Sequence, residues 1–216
     1  MNQHQNKAAE ILRTAGILPV ITIETTEQAL RLADALLEGG LRVLELTLRT
    51  QAALQALSSL KKAHPELIIG AGTVRNAQHI KQSIDAGADF LVTPGTTNTL
   101  IDALAHATVP SVPGAATPSE LLRLMENGFY VCKLFPATVV GGIGMLKSLA
   151  GPLADLKLCP TGGITENNAR DFLMQPNVLC VGGSWMVPID WVRSGAWEQI
   201  RTSTARAKHI LTQLPN

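Results

Sequence analysis

The sequence predicts an α/β protein: a single (β/α)8 TIM barrel over residues 1–216, with an N-terminal helix and a C-terminal helical extension. Three observations lead there. Eight short apolar, β-branched runs alternate with longer runs at helical spacing. Most of the short runs are continuously apolar rather than alternating, the pattern of parallel strands covered on both faces. A helix exit, a glycine and a strand recur around Gly40, Gly87 and Gly128, and no Pro/Gly/Ser-rich linker divides the chain. At 216 residues the chain sits near the short end of the barrel range. A doubly wound open sheet is the alternative. It would need a glycine-rich turn after the first strand, and Ile23-Glu24-Thr25-Thr26 is not one.

Taken in order, a polar stretch over residues 1–7 leads into the N-terminal helix at Ala8-Ala9-Glu10-Ile11-Leu12. It lacks the apolar core and small-residue cleavage site of a secretion signal. The first strand covers 17–23. Thr25-Thr26-Glu27-Gln28 then fits a capping box, and Glu38-Gly39-Gly40 ends that helix. Strand two covers 42–48. Leu54, Leu57 and Leu60 form the apolar stripe of the next helix, which ends near His64-Pro65. Strands three, four and five cover 67–72, 90–93 and 110–113, with a helix exit at Asp85-Ala86-Gly87. Thr117-Pro118-Ser119-Glu120 is a second capping box, with proline at the first helical position. Strand six covers 130–135 and strand seven 157–161, with a helix start expected at Thr165-Glu166. Strand eight covers 178–181 and ends in Gly182-Gly183-Ser184-Trp185. Trp185, Trp191 and Trp197 are expected to anchor the last helices.

Composition narrows the function. The net charge is +1 with no basic run, and aromatics are 4%, so neither nucleic acid nor an anionic membrane is expected as a partner. No apolar stretch approaches the ~18 residues of a spanning helix. Cys132, Cys159 and Cys180 lie in apolar runs and read as small hydrophobes in a reducing, cytoplasmic setting. His4, His64, His79, His106 and His209 form no ligand-spaced pair, so no metal site is expected and a zinc-dependent aldol reaction is disfavoured.

Barrel active sites lie at the C-terminal ends of the strands, and there the polar residues gather. Lys133 sits near the end of Tyr130-Val131-Cys132-Lys133-Leu134-Phe135-Pro136. Burial strips water from an ammonium and favours the amine, a nucleophile that can form a Schiff base with a ketone. Glu45, Thr47 and Arg49 share a face of strand two, where a carboxylate and a guanidinium must be paired or used. A structural Glu45–Arg49 ion pair competes evenly with a functional role. Strand three ends in Gly72-Thr73, a small hydroxyl where the backbone must approach closely, with a simple turn as the alternative for Gly72. Strands seven and eight end in Gly162-Gly163 and Gly182-Gly183, where barrels often bind phosphate. The rims at Thr93-Pro94-Gly95 and Pro113-Gly114 offer no donor of obvious chemistry. Together these residues suggest imine-mediated C–C cleavage of a phosphorylated keto acid.

Five blocks, Val43–Thr50, Gly70–Val74, Lys133–Ala137, Cys159–Ile164 and Gly182–Trp185, resemble in order those of the 2-keto-3-deoxy-6-phosphogluconate aldolase family, which includes 4-hydroxy-2-oxoglutarate aldolases. The resemblance extends from about Ala8 to the C-terminal helix. It implies a cofactor-free homotrimer of TIM-barrel fold that yields pyruvate in Entner–Doudoroff metabolism. It makes Lys133 the Schiff-base lysine and Glu45 the general acid/base. It implies that Arg49 and Thr73 hold the carboxylate end, Phe135 walls the site and Thr161 contacts substrate. Gly162, Gly163, Gly183 and Ser184 would take the phosphate. One departure is visible: Thr138 follows Phe135-Pro136-Ala137 where the resemblance implies an acidic residue, which bears on substrate preference or rate. A preference for the galactonate-derived epimer, a sugar-phosphate isomerase without imine chemistry, and a non-catalytic binder remain as competing readings.

Overall fold

Threonine hydroxyls start the helices where the sequence places capping boxes. Thr25 accepts from the Gln28 N–H while the Gln28 side chain returns to the Thr25 N–H, and Thr117 and Glu120 do the same. The computed structural model describes residues 3–215. Its elements run α1 (Gln3–Ala15), β1 (Ile17–Ile21), α2 (Thr26–Glu38), β2 (Val43–Thr47), α3 (Ala53–Ala63), β3 (Ile68–Gly72), α4 (Ala77–Asp85), β4 (Phe90–Val92) and α5 (Asn98–Ala105). They continue as β5 (Ser111–Val112), β6 (Gly114–Ala115), α6 (Pro118–Glu126), β7 (Val131–Leu134), α7 (Gly142–Ala150), β8 (Lys157–Pro160), α8 (Ala169–Leu173), β9 (Val181–Gly183), α9 (Ile189–Ser194) and α10 (Trp197–Thr212). Gly40, Gly87 and Gly128 all take positive φ just after a helix, as their place in the sequence requires.

All ladders are parallel, in the orders β5-β4-β3-β2-β1-β9 and β6-β7-β8. The result is an α/β fold with a curled parallel sheet. Helices pack on its outer face through a cluster that includes Leu32, Leu36, Leu57, Leu60, Leu121 and Leu146. Trp185, Trp191 and Trp197 are partly buried against that cluster. A second cluster fills the inside of the curl. Leu18, Val43, Phe90, Val112, Val131, Cys159 and Cys180 meet Ala8, Ile11 and Leu12 of α1, so α1 plugs the end opposite the strand C-termini. Gln5 stitches that plug in place: its Oε1 accepts from the N–H groups of Tyr130 and Val131 at 2.8 Å each, and its Nε2 donates to the Ser111 carbonyl at 3.4 Å.

Three expected boundaries move. The strand expected over 110–113 splits at Pro113, which has no N–H to give a ladder. β5 pairs with β4 while β6 pairs with β7, and the Pro113 carbonyl accepts from the Lys133 N–H at 2.8 Å. The last strand lies at Val181–Gly183 rather than 178–181, because Val181, Gly182 and Gly183 register with Ile17, Leu18 and Pro19 of β1. Glycine weakens a strand read from propensity, yet here a Cβ on Gly182 would run into the Thr161 hydroxyl and one on Gly183 into the Trp185 ring. The helix expected from Thr165 starts at Ala169 instead. The Thr165 N–H is taken by the Asn168 side chain at 2.8 Å, which holds this stretch as a turn.

Candidate active site

β2 and β7 each present alternate residues to the interior of the curl. On β7 these are Val131 and Lys133, with Phe135 following; on β2 they are Val43, Glu45 and Thr47. Lys133 Nζ lies 3.2 Å from Glu45 Oε1 and 3.3 Å from Oε2, and 5.5 Å from the centroid of the Phe135 ring. Lys133 is 5% exposed and Glu45 1%. Two buried charges are tolerated because each answers the other. Glu45 therefore pairs with Lys133 rather than with Arg49. A proton passed along the 3.2 Å contact leaves a neutral amine beside a neutral carboxylic acid, the form in which Lys133 is a nucleophile.

Glycines make room for this pair. Gly72 is the last residue of β3, and a Cβ there would overlap the Glu45 carboxylate. Its lack of a side chain is a condition of the ion pair, the close approach expected at this strand end rather than a simple turn. Thr73 follows in the left-handed region at φ 60°, strained for a β-branched residue. That turn delivers its hydroxyl to Arg49 Nε at 3.3 Å. Arg49 has no carboxylate partner among the described residues, so its charge is available to an anion.

A cavity of about 550 Å³ opens at the C-terminal ends of the strands. Of the residues singled out from sequence, Arg49, Lys133, Phe135, Thr161, Gly162, Gly163, Gly183 and Ser184 line it. Glu45 and Thr73 stand just behind, in contact with Lys133 and Arg49. Gly162 and Gly163 have φ of 98° and 76°, and a Cβ on Gly163 would strike the Thr138 side chain. Thr138, where the sequence resemblance implies an acidic residue, lies over this loop with its hydroxyl 3.3 Å from the Gly162 carbonyl. Val20, Thr22, Ile164 and the segment Val187, Pro188 and Ile189 also line the cavity and were not singled out from sequence. Val20 and Thr22 could have been found from parity, since they alternate with Leu18, which faces the interior. Nothing in the sequence marks 187–189. Beneath the site, burial pushes the thiols of Cys132 and Cys180 well up, so both stay protonated and act as packing.

A sequence model of the KDPG and KHG aldolases matches residues 8–203. The chain belongs to this aldolase family. Among its relatives, the KHG/KDPG aldolase of Escherichia coli strain K12 is 44% identical over 206 residues, covering 95% of this chain and 96% of the relative. The solved structure of the KDPG aldolase of Legionella pneumophila, with pyruvate captured at low pH as a covalent carbinolamine intermediate, matches with a TM-score of 0.89 and 41% identity, over 91% of this chain and 96% of that one. The 2-keto-3-deoxy-6-phosphogluconate aldolase of Zymomonas mobilis ZM4 with 3-phosphoglycerate matches with a TM-score of 0.87 and 37% identity, over 94% and 95%. The curled sheet is thus the fold of aldolases of this family.

Proposed function

We propose that this chain is a class I aldolase, a lyase that cleaves 2-keto-3-deoxy-6-phosphogluconate to pyruvate and glyceraldehyde 3-phosphate. The observation that carries the reading is the buried Lys133–Glu45 contact of 3.2 Å at the floor of a cavity lined by Arg49 and by Gly162, Gly163 and Gly183. Its relatives carry the same name, and the Legionella relative holds pyruvate as a carbinolamine, the precursor of an imine. The Lys133 amine attacks the C2 ketone, Glu45 gives the proton it took from Lys133 to the departing hydroxyl, and loss of water leaves a protonated imine beside an ionised Glu45. Glu45 removes the C4 hydroxyl proton, the C3–C4 bond breaks, and its electron pair moves to the imine as an enamine. Glyceraldehyde 3-phosphate leaves; protonation at C3 and hydrolysis release pyruvate and free Lys133. Arg49, held by Thr73, takes the substrate carboxylate, Phe135 walls the imine, and Thr161 contacts the chain. Gly162, Gly163, Gly183 and Ser184 take the phosphate. The E. coli relative's name includes KHG, which supports 4-hydroxy-2-oxoglutarate as a second substrate cleaved to pyruvate and glyoxylate.

The same proposal takes the chain as one unit whose curled sheet closes into a (β/α)8 barrel. Isolated parallel bridges Leu158↔Val178 and Thr161↔Gly182, across the gap between β8 and β9, support closure. The family resemblance supports a homotrimer that needs no cofactor, and three buried free thiols support a reducing, cytoplasmic setting. Borohydride reduction with pyruvate, followed by peptide mapping, tests the chemistry. A pyruvyl adduct on the Lys133 peptide is expected. A folded, pyruvate-saturated protein that gives none would favour an isomerase or a binding protein.

A further inference from the structure

Thr22 is the cavity hydroxyl with no role so far, and its hydrogen bonds fix what it can do. Thr47, fully buried, places Oγ1 2.8 Å from the Ile21 carbonyl and 2.9 Å from Thr22 Oγ1. A carbonyl oxygen only accepts, so the single Thr47 proton goes to Ile21. Thr22 must then spend its own proton on Thr47. Its remaining lone pairs belong to the cavity it lines, so it meets a ligand as an acceptor only. The neighbouring groups favour the opposite partner: Arg49 and Lys133 are cationic donors. An acceptor set between them repels an anion and selects a hydroxyl.

Its position says which hydroxyl. On one side β1 registers with β9 through Pro19↔Gly183, the strand that leads into Ser184; on the other it registers with β2 through Val20↔Glu45. Thr22 therefore stands between the proposed phosphate cradle and the carboxylate assigned to the C4 hydroxyl. Between those two points the substrate carries one further donor, the hydroxyl on C5. We infer that Thr22 is a specificity-determining residue that accepts a hydrogen bond from the C5 hydroxyl, which is the C2 hydroxyl of glyceraldehyde 3-phosphate in the condensation direction. The inference rests on the aldolase reading above. It deepens that reading by separating hydroxylated aldehydes from shorter or deoxygenated ones. A site built to pair a hydroxyl discriminates against the analogue that lacks it.

The test is condensation of pyruvate with glyceraldehyde 3-phosphate and with its 2-deoxy analogue, 3-phosphopropanal, in wild type, Thr22→Val and Thr22→Ser. The readout is the ratio of kcat/KM for the two aldehydes. Because Thr22 is only partly buried and water competes, the ratio in Thr22→Val is expected to fall about tenfold below wild type. Thr22→Ser, which keeps the acceptor, is expected to hold it. An unchanged ratio in Thr22→Val would overturn the inference. So would an equal fall on both aldehydes, which would make Thr22 a prop for Thr47. Borohydride trapping of pyruvate on wild type runs alongside. An adduct with an unmoved ratio refutes the Thr22 inference alone, whereas no adduct refutes the aldolase reading and this inference with it.

Discussion

A carboxylate and an ammonium sealed together at 1% and 5% exposure make sharp demands on the residues around them. Glu45→Gln keeps the shape but not the base. It is expected to form the pyruvate adduct on Lys133 while turnover falls by about 10²–10⁴, the usual worth of general acid–base help. Trapping and steady-state rates on the same preparation separate the two steps. Lys133→Met is expected to give neither adduct nor turnover, and near-wild-type activity in that variant would remove the lysine from the mechanism. Gly72→Ala is the less obvious probe. The added methyl drives into the Glu45 carboxylate, so kcat should drop at least tenfold, with a stability cost of about 1–3 kcal/mol. An unchanged kcat would mean that the carboxylate can move without consequence.

Capping chemistry was the most legible part of the chain, because it is local. Thr25–Gln28 and Thr117–Glu120 needed only four consecutive residues to be recognised, and both form as read. Thr117→Ala should cost about 1 kcal/mol and lower the melting temperature by roughly 2–4 °C. Hydrogen bonds from the N–H groups of Ala116 and Thr117 hold the Glu120 carboxyl below its ordinary value of 4.5. A depressed folded-state value means that this contribution is complete above that ordinary value and fades as pH falls through the lower one. Wild type should thus lose more melting temperature than Glu120→Gln between about pH 7 and about pH 3, and parallel losses would contradict the cap. Elements whose fate depends on distant partners were harder to read. The ends of β9 are set by register with β1, and the break between β5 and β6 by which neighbour each half pairs with. In the same way, parity put Glu45 on an inward face, but only the curl of the sheet brings it to a lysine on β7. Parity with Leu18 could have placed Thr22 in the cavity, but the direction of its hydrogen bond depends on a hydroxyl on another strand.

At the scale of the molecule, the site at one end depends on a plug at the other. α1 fills the interior opposite the cavity, and Gln5 supplies the acceptor for two backbone N–H groups at the start of β7, the strand that carries Lys133. Gln5→Ala leaves Tyr130 and Val131 without that acceptor. A loss on the order of 2–4 kcal/mol is expected, read as a lower urea midpoint with an unchanged m-value. No shift would show that water replaces the amide freely. The Lys133–Glu45 contact has a consequence of a different kind. Living cells contain many small reactive aldehydes and acyl donors that modify accessible amines indiscriminately. An amine nearly closed off from solvent and clasped by a carboxylate is a poor target for all of them. What makes this lysine slow to react with strangers also reserves it for a keto acid that brings its own anion into the cavity, so the enzyme guards its own nucleophile between turnovers.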